Sequence, residues 1–432
     1  MKRLFTIITI MALVCSESLH AQNAYVCHGY SYDTYAIADI GDMQFSANKD
    51  TVEICGETYE VADIDSITFS EPKFPTISIV YSGNSATVTI PSSITGVTCT
   101  SGTSSHVVLT STNTTTEYLY TASGSSTNGS LTINGSYKMS LMLAGLTLTS
   151  GTGAAIDIEC GKRIDIILKE GTTNTLADYA GGDQKGALYA KGHIELKGAG
   201  TLNVTGNCKH AICAKEYFIV KASVGTVNIL AAKNDGIHCG RGEKGSEHNY
   251  FQMNGGTLNI SGCGSDCIDS DDYGCVNIKG GTLKLDVSGT DAAGILCDSI
   301  YKQSGGDITF TAGGQESKGI HASYSATFKG GTVTGTVSGA GARGIRGKKV
   351  IKLTGTVKNG GALLFTGTDV ELTVSGEYYS TTQCVGILTD TTLEQTGGDL
   401  TITVTNSKAA DIVATTSDTW TGGTRNGVSK AQ

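Results

Sequence analysis

Proline is nearly missing from this chain: among 432 residues only Pro72, Pro75 and Pro91 carry the ring. Beyond Pro91 no backbone amide lacks its hydrogen, so backbone ladders can run unbroken to the end. Charge is also scarce, at 16% of residues, and there is a single Trp. The formal net charge of −9 excludes the basic footprint that nucleic acid requires. Helical periodicity over long windows is absent, and so is any apolar run approaching the ~20 residues of a membrane helix. The 13 cysteines include no CxxC pair, which removes the usual tetrahedral zinc motif. What the chain has in plenty is glycine, 58 of them, with frequent Ser and Thr between short alternating runs. That composition describes an almost all-β protein.

The first residues read as an export signal. Lys2 and Arg3 precede the apolar run Leu4–Val14, and Leu19-His20-Ala21 supplies a small residue at the cut, placed after Ala21. A lipid-anchored start at Cys15 is the rival, weakened by Val14 where a small residue is wanted. Outside the cell many cysteines are permitted. Residues 22–73 form a small β segment with an internal duplication: YAIADIGDMQFS from Tyr35 and YEVADIDSITFS from Tyr59. Pro72 and Pro75 close it, and a cap or spacer is its expected role. The stretch from Thr76 to Gly135 is Ser/Thr-rich and reads as cover for the open end of a larger array.

The array announces itself by two markers. A small residue followed by Ile or Leu recurs at Leu188, Ile212, Ile237, Ile268, Ile295, Ile320 and Ile345, with steps of 24, 25, 31, 27, 25 and 25. The same beat is kept by GTLNV at Gly200, GTVNI at Gly225, GTLNI at Gly256, GTLKL at Gly281, GDITF at Gly306 and GTVTG at Gly331. Each coil offers three short runs, such as CIDS, CVNI and GTLKL, and none of them can bury its own apolar face. Stacking the coils ~4.8 Å apart pairs every run with its neighbours and buries columns of Ile, Leu and Val. A propeller blade needs ~40 residues, more than the step supplies. The fold expected over residues 76–432 is therefore a right-handed parallel β-helix with three strands per coil.

With the anchor Ile inward, the residue two positions on is inward too. That column reads Ala190, Ala214, Cys239, Ser270, Cys297 and Ala322, so Cys239 and Cys297 are expected to be buried and inert. The positions one and three after the anchor face outward and hold Asp269, Asp271 and Asp298, with Asp272 beside them. Two before the anchor, Asp235 and Asp266 share another column. Carboxylates one coil apart repel by roughly 3 kcal/mol at an effective dielectric of 20, so a cation, a raised pKa or solvated side chains must answer for them. Calcium suits the first. Cys213, His238 and Asp269 also line up on three coils, a nominal nucleophile, base and orienting acid. Further along come Lys318, Arg343, Arg346, Lys348 and Lys349, a basic stretch suited to carboxylated sugars. Tyr250, Tyr273, Tyr301 and Tyr324 follow the anchor strands and can stack on sugar rings.

The run from ISIVY at Ile77 through LAGLTLTSGTGAAIDI, GTLNVTGN, NDGIHC and the GGTLNI-type turns resembles the bacterial calcium-associated carbohydrate-binding β-helix proteins, which look like pectate lyases in architecture. The resemblance implies non-catalytic binding of plant-type polysaccharide, pectic or cellulosic, with calcium held by Asp side chains on successive coils. Asp235 matches the Asp of the family's DGI turn. Asp266 takes the same place in SDCI, with Cys267 for Gly, while SKGI and ARGI carry Lys318 and Arg343 there. Two other functions stand beside binding: a calcium-dependent polysaccharide lyase, and an adhesin in which the helix is a rigid stalk. Arg343 and Arg346 lie about two coils, ~10 Å, past Asp298, too far to share one coordination sphere, which weighs against the lyase without removing it.

Overall fold

The computed structural model describes residues 23–28, 31–61, 64–72, 74–240, 249–348 and 361–427. The expected signal peptide, Cys15 and Lys349 lie outside them. No α-helix occurs among the described residues, and none of their helices is long and apolar enough to cross a membrane.

The body is a parallel β-helix. One ladder is a 13-stranded sheet; two more run side by side in a 24-stranded sheet. Each full coil gives one strand to the first and two to the second, as in Ile268–Ser270, Cys275–Ile278 and Thr282–Val287. Register in the 13-stranded sheet pairs Leu188 with Ile212, then Ile237, Ile268, Ile295, Ile320 and Ile345 in turn. Every one of these side chains is fully buried. The small column also lies inside, and burial drives the Cys239 and Cys297 thiols well above their ordinary pKa.

The two sequence markers have separate causes. A Cβ on Gly294 would sit 2.6 Å from the Gly319 carbonyl oxygen of the next coil, and one on Gly344 2.5 Å from that of Gly386. The residue before the anchor is small because the neighbouring backbone occupies the space. The second marker is a turn: Gly256, Gly281, Gly306 and Gly331 all have φ between 77° and 88°, where only glycine is unstrained.

At the open end, Val97–Cys99 pairs antiparallel with His106–Ser111, and Thr76–Ser82 folds back on Ser85–Thr89. Antiparallel closure ends the array where a bare edge would invite pairing.

The N-terminal segment consists of two three-stranded antiparallel sheets. Its duplication has a structural counterpart, since the equivalent tyrosines Tyr35 and Tyr59 meet hydroxyl to hydroxyl. Tyr59 also donates to Asp33 at 2.8 Å. This unit packs against the side of the β-helix through buried ions. Asp33 pairs with Lys197 at 2.6 Å, and Lys197 also reaches Asp165 at 2.8 Å. Glu57 pairs with Lys221 at 3.0 Å and accepts the Ala222 amide and the Asn254 side chain. The unit is a lateral buttress, not a distant spacer.

Candidate functional site

Outward positions on the 13-stranded sheet form three polar columns. Two before the anchor run His210, Asp235, Asp266, Ala293, Lys318 and Arg343. One after it run Tyr189, Cys213, His238, Asp269, Leu296, His321 and Arg346. Three after it run Lys191, Lys215, Gly240, Asp271, Asp298, Ser323 and Lys348. The acids are concentrated on the coils of Ile237, Ile268 and Ile295, with lysines on the coils before them and Lys318, Arg343, Arg346 and Lys348 on the coils after. The face points away from the core, yet much of it is covered: His210, Asp235 and His238 are 1–2% exposed.

The expected pair of carboxylate clusters is one connected group. Asp269 joins them: its carboxylate lies with those of Asp235 and Asp266 on one side and with Asp271 and His238 on the other, each trio within 4.8 Å. Burial first, then the charges of Asp271 and Asp269, raise Asp298 to about 6. Asp266 is pushed up to about 7 by burial and by Asp235 and Asp269. These are acids short of positive charge.

Asp235 and Asp266 have a second occupation. Asp235 Oδ1 accepts the Asp266 amide at 3.2 Å, and Asp266 Oδ1 accepts the Ala293 amide at 2.6 Å. Each carboxylate thus ties down the backbone of the following coil. Asp235 is further engaged by imidazoles. His210 Nδ1 lies 3.0 Å and His238 Nδ1 3.1 Å from its Oδ2, and His238 is also 2.8 Å from Asp269 Oδ2. Burial works against charge on His238, but Asp235 and Asp269 raise it to about 9. It is an imidazolium at neutral pH, so the Cys213–His238–Asp269 stack holds no general base. The histidine at 210 escaped sequence reasoning because the AI anchor of its coil carries no acidic marker. Its place two before Ile212, in the Asp235 column, was the available signal.

A groove of about 410 Å³ opens beside the cluster, lined by Lys185, Tyr189, Cys213, Lys215, Asp271 and Asp272. Gly240 stands between Lys215 and Asp271 in their column with φ 92°, where a Cβ would sit 2.5 Å from the Asp271 carbonyl oxygen. The far wall is a tight turn in which Gly274 N–H bonds the Asp271 carbonyl at 3.0 Å, with Asp272 and Tyr273 at φ 52° and 67°. Two consecutive left-handed non-glycine residues are costly, and such strain collects at functional sites. Lys185 lies over the Tyr189 ring, 5.4 Å from its centroid.

The other predicted contacts fare unevenly. Tyr273 and Tyr324 are half-buried at the turns. Tyr301 is not a surface ring: it is fully buried, pairs in register with Val276 and packs on Phe328 at 5.2 Å. Counting from the anchor placed it in a turn, but the second strand of its coil begins at Ile300 and turns the ring inward. Tyr250 stacks on Tyr217 over the other sheet, 4.9 Å apart. Arg346 is already neutralised by Asp390 at 2.6 Å, and Lys318 by Asp291. Arg343 keeps a buried Nε without a hydrogen-bond partner.

The fold and this polar face define a β-helix whose exposed chemistry is concentrated on a few coils of one sheet. A family profile described as "Carbohydrate-binding domain-containing protein" matches residues 103–359, more than half of the chain, and the chain belongs to that family. Among solved structures, one titled "Structure of the polysaccharide lyase-like protein from C. thermocellum, Gadolinium derivative" aligns with 71% of this chain and 98% of its own, at 18% identity and a TM-score of 0.43. No curated protein sequence matches significantly.

Proposed function

We propose that the protein is a secreted, non-catalytic binder of an acidic plant-type polysaccharide, pectic in the first instance, gripped with calcium along the groove. The observation that carries this reading is the lining of the groove: two ammonium groups, Lys185 and Lys215, face a strained turn that presents Asp271 and Asp272. A uronate chain offers carboxylates to the lysines. Calcium, which takes six to eight oxygens, suits the Asp271–Asp298 edge, where carboxylates converge and raise Asp298 to about 6. Arg343 provides a further cationic contact along the same face. Membership of a carbohydrate-binding family and the export-type start of the chain support the assignment.

The test is binding of polygalacturonate to the purified chain with calcium, with chelator, and at raised salt. Chelator is expected to weaken binding through the acidic edge and salt through the lysines. Lys215→Ala is expected to weaken it in both media. Binding indifferent to all three would overturn the reading in favour of a neutral glycan or a protein. Release of unsaturated uronates would convert the protein into a lyase.

A further inference from the structure

The imidazole end of the cluster is a different kind of site from its all-oxygen edge. Calcium is a hard ion that takes oxygen ligands; imidazole nitrogen suits zinc and its first-row neighbours. Three ligand atoms converge here: His210 Nδ1 and His238 Nδ1 stand 3.0 and 3.1 Å from Asp235 Oδ2. Asp269 Oδ2 is 2.8 Å from His238 Nδ1. An ion with bonds of 2.0–2.1 Å holds neighbouring ligands about 2.9 Å apart in octahedral and about 3.4 Å in tetrahedral geometry, so these separations need little adjustment.

An independent observation concerns His210. Its side chain is 1% exposed, its Nδ1 is aimed at Asp235 within contact distance, and yet neither ring nitrogen has an aligned hydrogen bond. Buried polar groups are rarely left so. His210 Nδ1 is directed at the same carboxylate oxygen that His238 Nδ1 meets, so the three atoms face one point that an ion can take. The outer contacts are in place as well. The two imidazoles stack 4.3 Å apart and 20° from parallel, so one ring tilts to bring both lone pairs onto one ion; Asp235 Oδ1 is fixed by the Asp266 amide and its Oδ2 by Asn234 at 3.3 Å. Such supports orient first ligands and raise affinity. Asp269, with 12% of its side chain exposed, is the edge by which an ion enters.

We propose that His210, Asp235 and His238 form a site for a divalent first-row transition ion, zinc being the best fit, with water completing its coordination. It clamps the two successive coils of Ile212 and Ile237, beside Asp269 and the acidic edge. The inference does not depend on glycan binding.

The experiment uses the full chain stripped with chelator. Zinc is titrated calorimetrically in the presence of excess calcium, and cobalt(II) is added separately for its visible ligand-field spectrum. One zinc equivalent that calcium does not displace, and a cobalt spectrum carrying nitrogen ligation, are expected. His210→Ala and His238→Gln are each expected to lower zinc affinity roughly tenfold or more, because even outer-shell losses cost 10–100-fold, while calcium binding persists. Zinc displaced by calcium, an all-oxygen cobalt spectrum, or zinc affinity unmoved in folded variants would overturn the site. The cobalt spectrum of the unmutated chain decides the matter if a variant does not fold.

Discussion

Replacing Lys197 by Met tests the least expected part of the architecture, the buttress formed by residues 23–68. Lys197 is 4% exposed at its side chain and serves Asp33 of the small unit and Asp165 of the β-helix at once. Both carboxylates are buried, at 7% and 0% of their side chains. Together they outweigh the burial penalty and hold the Lys197 ammonium charged. Removing it leaves two buried anions facing each other. Asp165 retains Arg163 at 3.3 Å, and Asp33 retains the Tyr59 hydroxyl at 2.8 Å with the charges of Arg163 and Lys221 nearby. Breaking a buried pair from one side costs about 3–5 kcal/mol.

The chain has a cheaper escape than unfolding, which is to release the buttress and hydrate Asp33. The Glu57 contacts with Lys221, the Ala222 amide and Asn254 then resist. Lys197→Met is therefore expected to raise hydrogen exchange across Asn23–Ala36 and protease cleavage near residues 69–75, while the β-helix amides stay protected. Adding Asp33→Leu removes the stranded charge and is expected to restore most of the loss, as replacing both ions by apolar groups often does. Salt is expected to matter little, because a pair this buried is poorly screened. If Lys197→Met costs under about 1 kcal/mol and leaves Asn23–Ala36 exchange unchanged, the pair is hydrated in solution and the docking described here is wrong.

Two further perturbations separate core from site. Tyr301→Ala is expected to cost about 3–5 kcal/mol in chemical denaturation, as large aromatic truncations do, and to leave polygalacturonate affinity unchanged in the folded fraction; a loss of affinity without loss of stability would return Tyr301 to the surface. Asp157 is raised to about 6 by burial and then by Glu159. Its folded form therefore keeps a proton that the unfolded chain has already released, so its support for the fold is present at low pH and withdrawn as pH rises from about 4 to 6. Asp157→Asn is expected to stabilise by at most about 3 kcal/mol at pH 7, two units at 1.36 each, and to do nothing at pH 4; equal denaturation midpoints at pH 7 would show the carboxyl to be solvated.

The ladder was legible because a β-helix repeats its constraint. The space before each anchor is limited by the same carbonyl of the next coil, so Gly or another small residue recurs on one beat, and the left-handed turn repeats Gly256, Gly281 and Gly306 on another. Columns follow from register alone, which is why Asp271 with Asp298 and Asp235 with Asp266 could be paired on paper. Nothing periodic marks what lies across a column or between coils. Asp269 bridges two columns because its side chain leans to both sides, and His210 enters only as the coil before Asp235 folds against it. Tyr301 went astray at the one place where the count from the anchor changes meaning, the start of the second strand. The buttress was invisible for a related reason. Asp33 and Lys197 are 164 residues apart, and their pairing is fixed by how a separate unit lies on the sheet. The groove lies where the repeat is broken, at Asp272-Tyr273, which take left-handed backbone angles unusual for their residue type, and beside Gly240 in the charged column. Departures from the beat, more than the beat itself, locate the groove.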